Sequence, residues 1–76
     1  MFKVGDRVEL IECREEPDYI GQLATIRYVD PPSRGEQTIL VEFDKPGLGH
    51  AGGPTKGCWW IEPWELRLIN DDLNID

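Results

Sequence analysis

Turn-forming residues interrupt this chain so often that only short strands fit between them. Asp30-Pro-Pro-Ser-Arg-Gly35 suits neither strand nor helix, because proline fixes φ and removes a backbone donor. Residues 44–57 hold five of the eight glycines and form a long loop, a kind of segment that often carries function. Residues 12–19, with Pro17 and four acids, show no hydrophobic period and form an acidic loop. No helix of three turns has room to form.

The segments between these breaks alternate as strands do. Phe2, Val4, Val8 and Leu10 share one parity and Lys3, Arg7 and Glu9 the other, with a turn at Gly5-Asp6. Residues 21–29 are rich in β-branched and aromatic side chains. Ile39, Val41 and Phe43 point one way, while Thr38, Leu40 and Glu42 point the other. Residues 58–61 and 66–69 supply two more strands, joined by Pro63-Trp64-Glu65, which suits a single helical turn because proline favours its first position. Five short strands and two long loops predict an all-β fold: a small five-stranded antiparallel barrel with one short helical turn before the last strand. Barrel closure would protect edges that so small a chain cannot otherwise cover. Residues 1–69 make this one domain, and residues 70–76 an acidic, frayed tail.

All three tryptophans, Trp59, Trp60 and Trp64, fall within six positions. A side-chain period of two sends Trp59 and Trp60 to opposite faces of one strand, so one faces the core. Parity alone leaves open which. Tyr28 and Phe43 are expected in the core, Trp64 as a lid on the barrel end, and Tyr19 as an exposed aromatic beside the acidic loop. Exposed aromatics of this kind mark contact surfaces. The residues expected to bind a partner are therefore Tyr19, Glu15, Glu16, Asp18, His50, Trp59 and Trp64.

Charge narrows the partner. The formal net charge is −7, and the eight basic residues are scattered singly. A protein that grips phosphates needs a basic stripe, so direct binding to DNA or RNA is disfavoured. The acidity itself reads first as a device for solubility and, more sharply, as attraction to a basic protein partner. His50 and Cys58 lack the orienting third group of a catalytic pair, and the glycines at 47, 49, 52 and 53 precede no P-loop helix. No catalytic residues and no cofactor are expected. The spacing of Cys13, Cys58 and His50 matches no metal site, and the two cysteines are expected as free thiols. No apolar run approaches the roughly 20 residues of a membrane span. The opening Met-Phe-Lys-Val-Gly-Asp has no signal-like stretch, so a cytoplasmic location is expected.

Three local patterns resemble a known superfold. Phe2-Lys-Val-Gly-Asp-Arg-Val8 is similar to the first strand of many small bacterial and phage barrels. Gly21-Gln-Leu-Ala-Thr-Ile-Arg-Tyr-Val29 is similar to the Gly-x-x-Gly-Thr-Val pattern after a first long loop, with Ala24 in place of the second glycine. Trp60-Ile-Glu-Pro-Trp-Glu-Leu-Arg-Leu-Ile69 has the spacing of a strand, helical turn and closing strand. In this order they resemble Src-homology-3-like barrels.

Within that group, Ala24-Thr-Ile-Arg-Tyr-Val29, Val41-Glu-Phe-Asp44 and Gly49-His-Ala-Gly-Gly53 resemble CAP-Gly domains. Those domains use this loop and nearby aromatics to grip acidic tails. Here His50, Ala51 and Gly52 stand where that family has lysine, asparagine and aspartate, so the resemblance carries over the loop's location and not the ligand. The tryptophan cluster, the absence of a catalytic constellation and the −7 charge lead to the expectation of a non-catalytic protein-binding or accessory module that docks through exposed aromatics and acidic loops. The alternative is an acidic nucleic-acid mimic, or a nucleic-acid-associated barrel, acting on host transcription, translation or defence machinery. Oligomeric state is not legible.

Overall fold

The computed structural model describes residues 2–30 and 39–69. The protein is all-β. Its strands are β1 (Arg7–Leu10), β2 (Leu23–Val29), β3 (Ile39–Phe43), β4 (Cys58–Ile61) and β5 (Leu66–Ile69), with 3-10 turns at Pro17–Tyr19 and Pro63–Glu65. They form one five-stranded antiparallel sheet in the order β4-β3-β2-β1-β5. The turn cluster expected around residues 31–35 and the tail at 70–76 lie outside the described residues.

The expected closure into a barrel is not made by hydrogen bonds. Among the described residues the ladder ends at β4 and β5, which do not pair with each other. The sheet curls all the same. Laid flat, its outer strands would stand about 19 Å apart. The link of residues 62–65, largely a 3-10 turn rising about 2 Å per residue, spans less than that. The Ile11 N–H, just past β1, donates to the Glu65 carbonyl at 2.8 Å and ties this link across the end of the sheet.

Curling encloses the face where the alternating apolar residues converge. Val8 and Leu10 of β1, Ala24 and Ile26 of β2, Ile39, Val41 and Phe43 of β3, Ile61 of β4 and Leu66 of β5 are buried together with Cys13. Each large aliphatic side chain taken from water there contributes roughly 1.5–3 kcal/mol before chain entropy is counted. Val4, which shares their parity, is exposed. The turn at Gly5 removes it from the strand: Asp6 N–H donates to Lys3 O, and Asp6 Oδ2 accepts from Lys3 N–H at 3.0 Å.

Tyr28 is not a core residue. Ile26 pairs with Val41 and Tyr28 with Leu40, so Arg27 is an extra residue, a β-bulge that reverses the alternation of β2. Tyr28 therefore emerges on the outer face, 49% exposed, with its ring edge-on to Trp60 and the Asp30 carboxylate raising its phenol above the ordinary value. Val29 turns inward beside Ile39 instead. Ion pairs fasten the outer face across strands. Arg7 grips Asp44 through two bonds of 2.7 and 2.6 Å, Arg27 meets Glu42 at 2.7 Å, and Arg67 meets Glu9.

One buried acid stands apart. Glu65 accepts from the Glu62 N–H at 3.0 Å and so caps its own 3-10 turn. Burial, reinforced by the nearby carboxylates of Glu62, Glu15 and Glu12, pushes its carboxyl above the ordinary glutamate value. Asp44 is shifted oppositely, held low by the Arg7 guanidinium. A raised carboxyl contributes stability below its unfolded value and loses it as pH rises through the folded one. A lowered carboxyl contributes above its unfolded value and loses it as pH falls through the folded one. Glu65→Gln is expected to raise the melting temperature at neutral pH, the gain vanishing in acid. Asp44→Asn should lower stability at neutral pH by at most about 1 kcal/mol, the loss also vanishing in acid. Thermal unfolding of both variants across pH checks the two signs.

Candidate functional site

The pairing with β3 decides the question that parity left open. Trp59 stands opposite Val41 and Ile61 opposite Ile39, so Trp59 faces the core side and packs against it. Trp60 stands opposite Leu40 on the other face, its ring 5.9 Å from that of Tyr28 in a T-shaped contact. Neither indole is fully buried.

The two long loops meet over Trp59. From the acidic loop, the 3-10 turn at Pro17–Tyr19 swings Tyr19 inward, its ring edge-on to Phe43 at 5.0 Å and to Trp59 at 5.6 Å. From the 44–57 loop, the Gly49 N–H donates to the Tyr19 hydroxyl at 3.0 Å. His50 lies 5.3 Å from the Trp59 ring at a 35° tilt. That loop folds back on β4 through His50 N–H to Cys58 O at 3.0 Å and Gly57 N–H to His50 O at 2.9 Å.

Close approach at Gly49 makes this possible. Its φ is +80°, and an added Cβ would lie 2.5 Å from the Cys58 carbonyl oxygen. Gly47 also has positive φ, +94°, but faces open space.

A cavity of about 210 Å³ opens beside these rings, lined by Glu15, His50, Trp59 and Trp60. A wider one of about 550 Å³ lies under the 44–57 loop, with Phe43, Leu48, Lys45, Lys56 and His50 among its lining residues. His50 lines both.

Of the residues expected from sequence, Glu15, His50 and Trp59 come together around the smaller cavity. Glu16 and Asp18 are exposed on the same acidic loop. Tyr19 is not the freely exposed aromatic expected, because its ring and hydroxyl are both engaged; it supports Trp59 from behind. Trp64 is no lid. It is 53% exposed, and its indole N–H is bonded to Glu62 on the 3-10 turn, outside the cavity lining. The residue missed is Trp60. Its place at the cavity follows from the β3–β4 register, which sequence alternation does not specify.

The chain matches no protein-family model and no curated protein.

Both cysteines are free and buried. Cys13 belongs to the core, where burial first and the Glu65 charge after it raise the thiol. Cys58 lies opposite Glu42 on the outer face, its Sγ 3.8 Å from the Lys56 carbonyl. Burial and Glu42 raise its thiol too, which lowers the fraction of nucleophilic thiolate. Among the described residues no three His, Cys, Asp or Glu side chains gather to hold a metal ion. No helix there is long and apolar enough to cross a membrane.

Two substitutions test how the loops are joined. Gly49→Ala should destabilise the fold by about 2–3 kcal/mol, combining left-handed strain with a backbone clash, whereas Gly47→Ala should cost about 1 kcal/mol. Urea unfolding of the pair separates the two contributions. Tyr19→Phe keeps the ring contacts but removes the acceptor for Gly49, with an expected cost of about 1 kcal/mol in the same measurement.

Proposed function

We propose that this chain is a non-catalytic protein-binding or accessory module of the Src-homology-3-like kind, docking on a larger basic partner in the cytoplasm. The reading rests on one observation: the Glu15 carboxylate, the His50 imidazole and two indoles line a single cavity on a chain of net charge −7. Indole faces attract cations through their quadrupole, and a carboxylate beside them supplies the complementary charge. Glu12, Glu16 and Asp18 on the same loop extend the negative field over the approach, against a single cation there, Arg14.

The strand order β4-β3-β2-β1-β5 and the 3-10 turn before β5 support the superfold assignment. A non-catalytic role is supported by the Cys58 thiol, which is buried, raised and turned toward a backbone carbonyl. The scattered basic residues weigh against a nucleic-acid ligand held through phosphates.

A nonapeptide of alternating arginine and serine serves as a probe, with a glutamate-serine peptide as its control. The basic peptide is expected to change tryptophan fluorescence saturably and the acidic one to leave it unchanged. Glu15→Lys, on an exposed side chain, should weaken the basic peptide at least about fivefold with an unaltered circular dichroism spectrum. Equal response to both peptides, or no effect of Glu15→Lys, would dismiss the reading.

A further inference from the structure

Along an antiparallel edge strand, backbone groups point alternately toward the neighbour and away from it. Phe43 N–H donates to the Gly57 carbonyl at 3.0 Å, so Gly57, and with it Trp59 and Ile61, turn their backbone groups toward β3. Cys58, Trp60 and Glu62 turn theirs outward. Cys58 is already engaged, its N–H donating to Thr55 O at 2.9 Å and its carbonyl accepting from His50 N–H at 3.0 Å. Glu62 is engaged as well, its N–H bonded to Glu65 Oε1 and its carbonyl to Glu65 N–H at 2.9 Å. Between them, the N–H and C=O of Trp60 point off the edge with no partner among the described residues.

A sheet edge ordinarily offers a row of such groups. Among the described residues, the 44–57 loop and the 3-10 turn reduce it to a single rung, and Trp60 also lines the cavity of about 210 Å³. That volume is below the roughly 300 Å³ at which small-molecule pockets begin, and it suits one long side chain. The Glu15 carboxylate and the indoles select a cation for it.

We infer that an extended basic peptide adds to the outer edge of β4 for one rung. One residue of the peptide exchanges two main-chain hydrogen bonds with Trp60. Its neighbour opposite Trp59, on the same face as that indole, sends an arginine or lysine side chain into the cavity beside Glu15 and His50. This rests on the docking function proposed above and specifies how the partner's chain lies.

The test is a nuclear magnetic resonance titration of the isotope-labelled protein with acetyl-Ser-Ser-Arg-Ser-Ser-amide. The expected result is a saturable shift of the Trp60 amide and slowed exchange of its proton, with a dissociation constant on the order of 1 mM. Two peptides are N-methylated, each at one of the two serines flanking the arginine; the one whose methylated serine pairs with Trp60 should bind about fivefold more weakly, the loss of one hydrogen bond. Citrulline in place of arginine, which removes the charge, should weaken it at least as much. If the peptide shifts the Trp59 indole while Trp60 amide exchange and both N-methylated peptides behave as controls, the edge geometry is overturned and the docking function stands. If no basic peptide binds, both fall.

Discussion

Everything in this fold depends on the brevity of the link between its two outer strands. Residues 62–65 cannot reach across a flat five-stranded sheet, so β4 and β5 are drawn toward each other and the sheet curls around its apolar face. That curl lets strands of four to seven residues enclose a core of ten side chains. It also explains why Glu65 is buried despite its charge. The link must turn inward to meet β1, and the carboxylate that caps the turn goes with it.

A second dependence runs from a glycine to the candidate site. Gly49 sits against the Cys58 backbone with no room for a side chain. This lets the 44–57 loop lie down on β4 instead of projecting into solvent. The loop then meets the acidic loop through the bond from Gly49 to Tyr19, and His50 comes to rest near Trp59. The site therefore lies where two loops are tied together, on a strand fixed by its register with β3.

Much of the sheet was legible in the sequence because β1 and β3 keep a strict alternation, so Val8, Leu10, Ile39, Val41 and Phe43 identify themselves as one face. The helical turn at residues 63–65 was legible from its proline, and the acidic loop and the glycine-rich loop from their composition. Tyr28 was not legible, because a bulge at Arg27 reverses parity and leaves no mark in a hydrophobicity pattern. The same limit applied to Trp59 and Trp60, two identical side chains whose faces depend on which residue of β3 lies opposite. Glu15, His50 and Trp59 were each singled out by residue type and loop position. Their convergence is a tertiary fact, set by contacts between segments some thirty residues apart. Trp64 misled for a different reason: a large apolar ring suggests burial, yet its indole N–H finds a carboxylate two residues away and the ring stays outside.

The single open rung at Trp60 bears on how copies of the molecule behave toward one another. A strand edge with several free rungs can zip onto the edge of another copy and propagate into ordered aggregates. With Cys58 and Glu62 engaged within the chain, a second molecule approaching β4 would find one rung and then a turn on either side of it. Two hydrogen bonds are too few to hold such a stack together. Over this edge the fold is protected against self-association by its own loops, while the rung that the described residues leave open at Trp60 remains available to a short segment of something else.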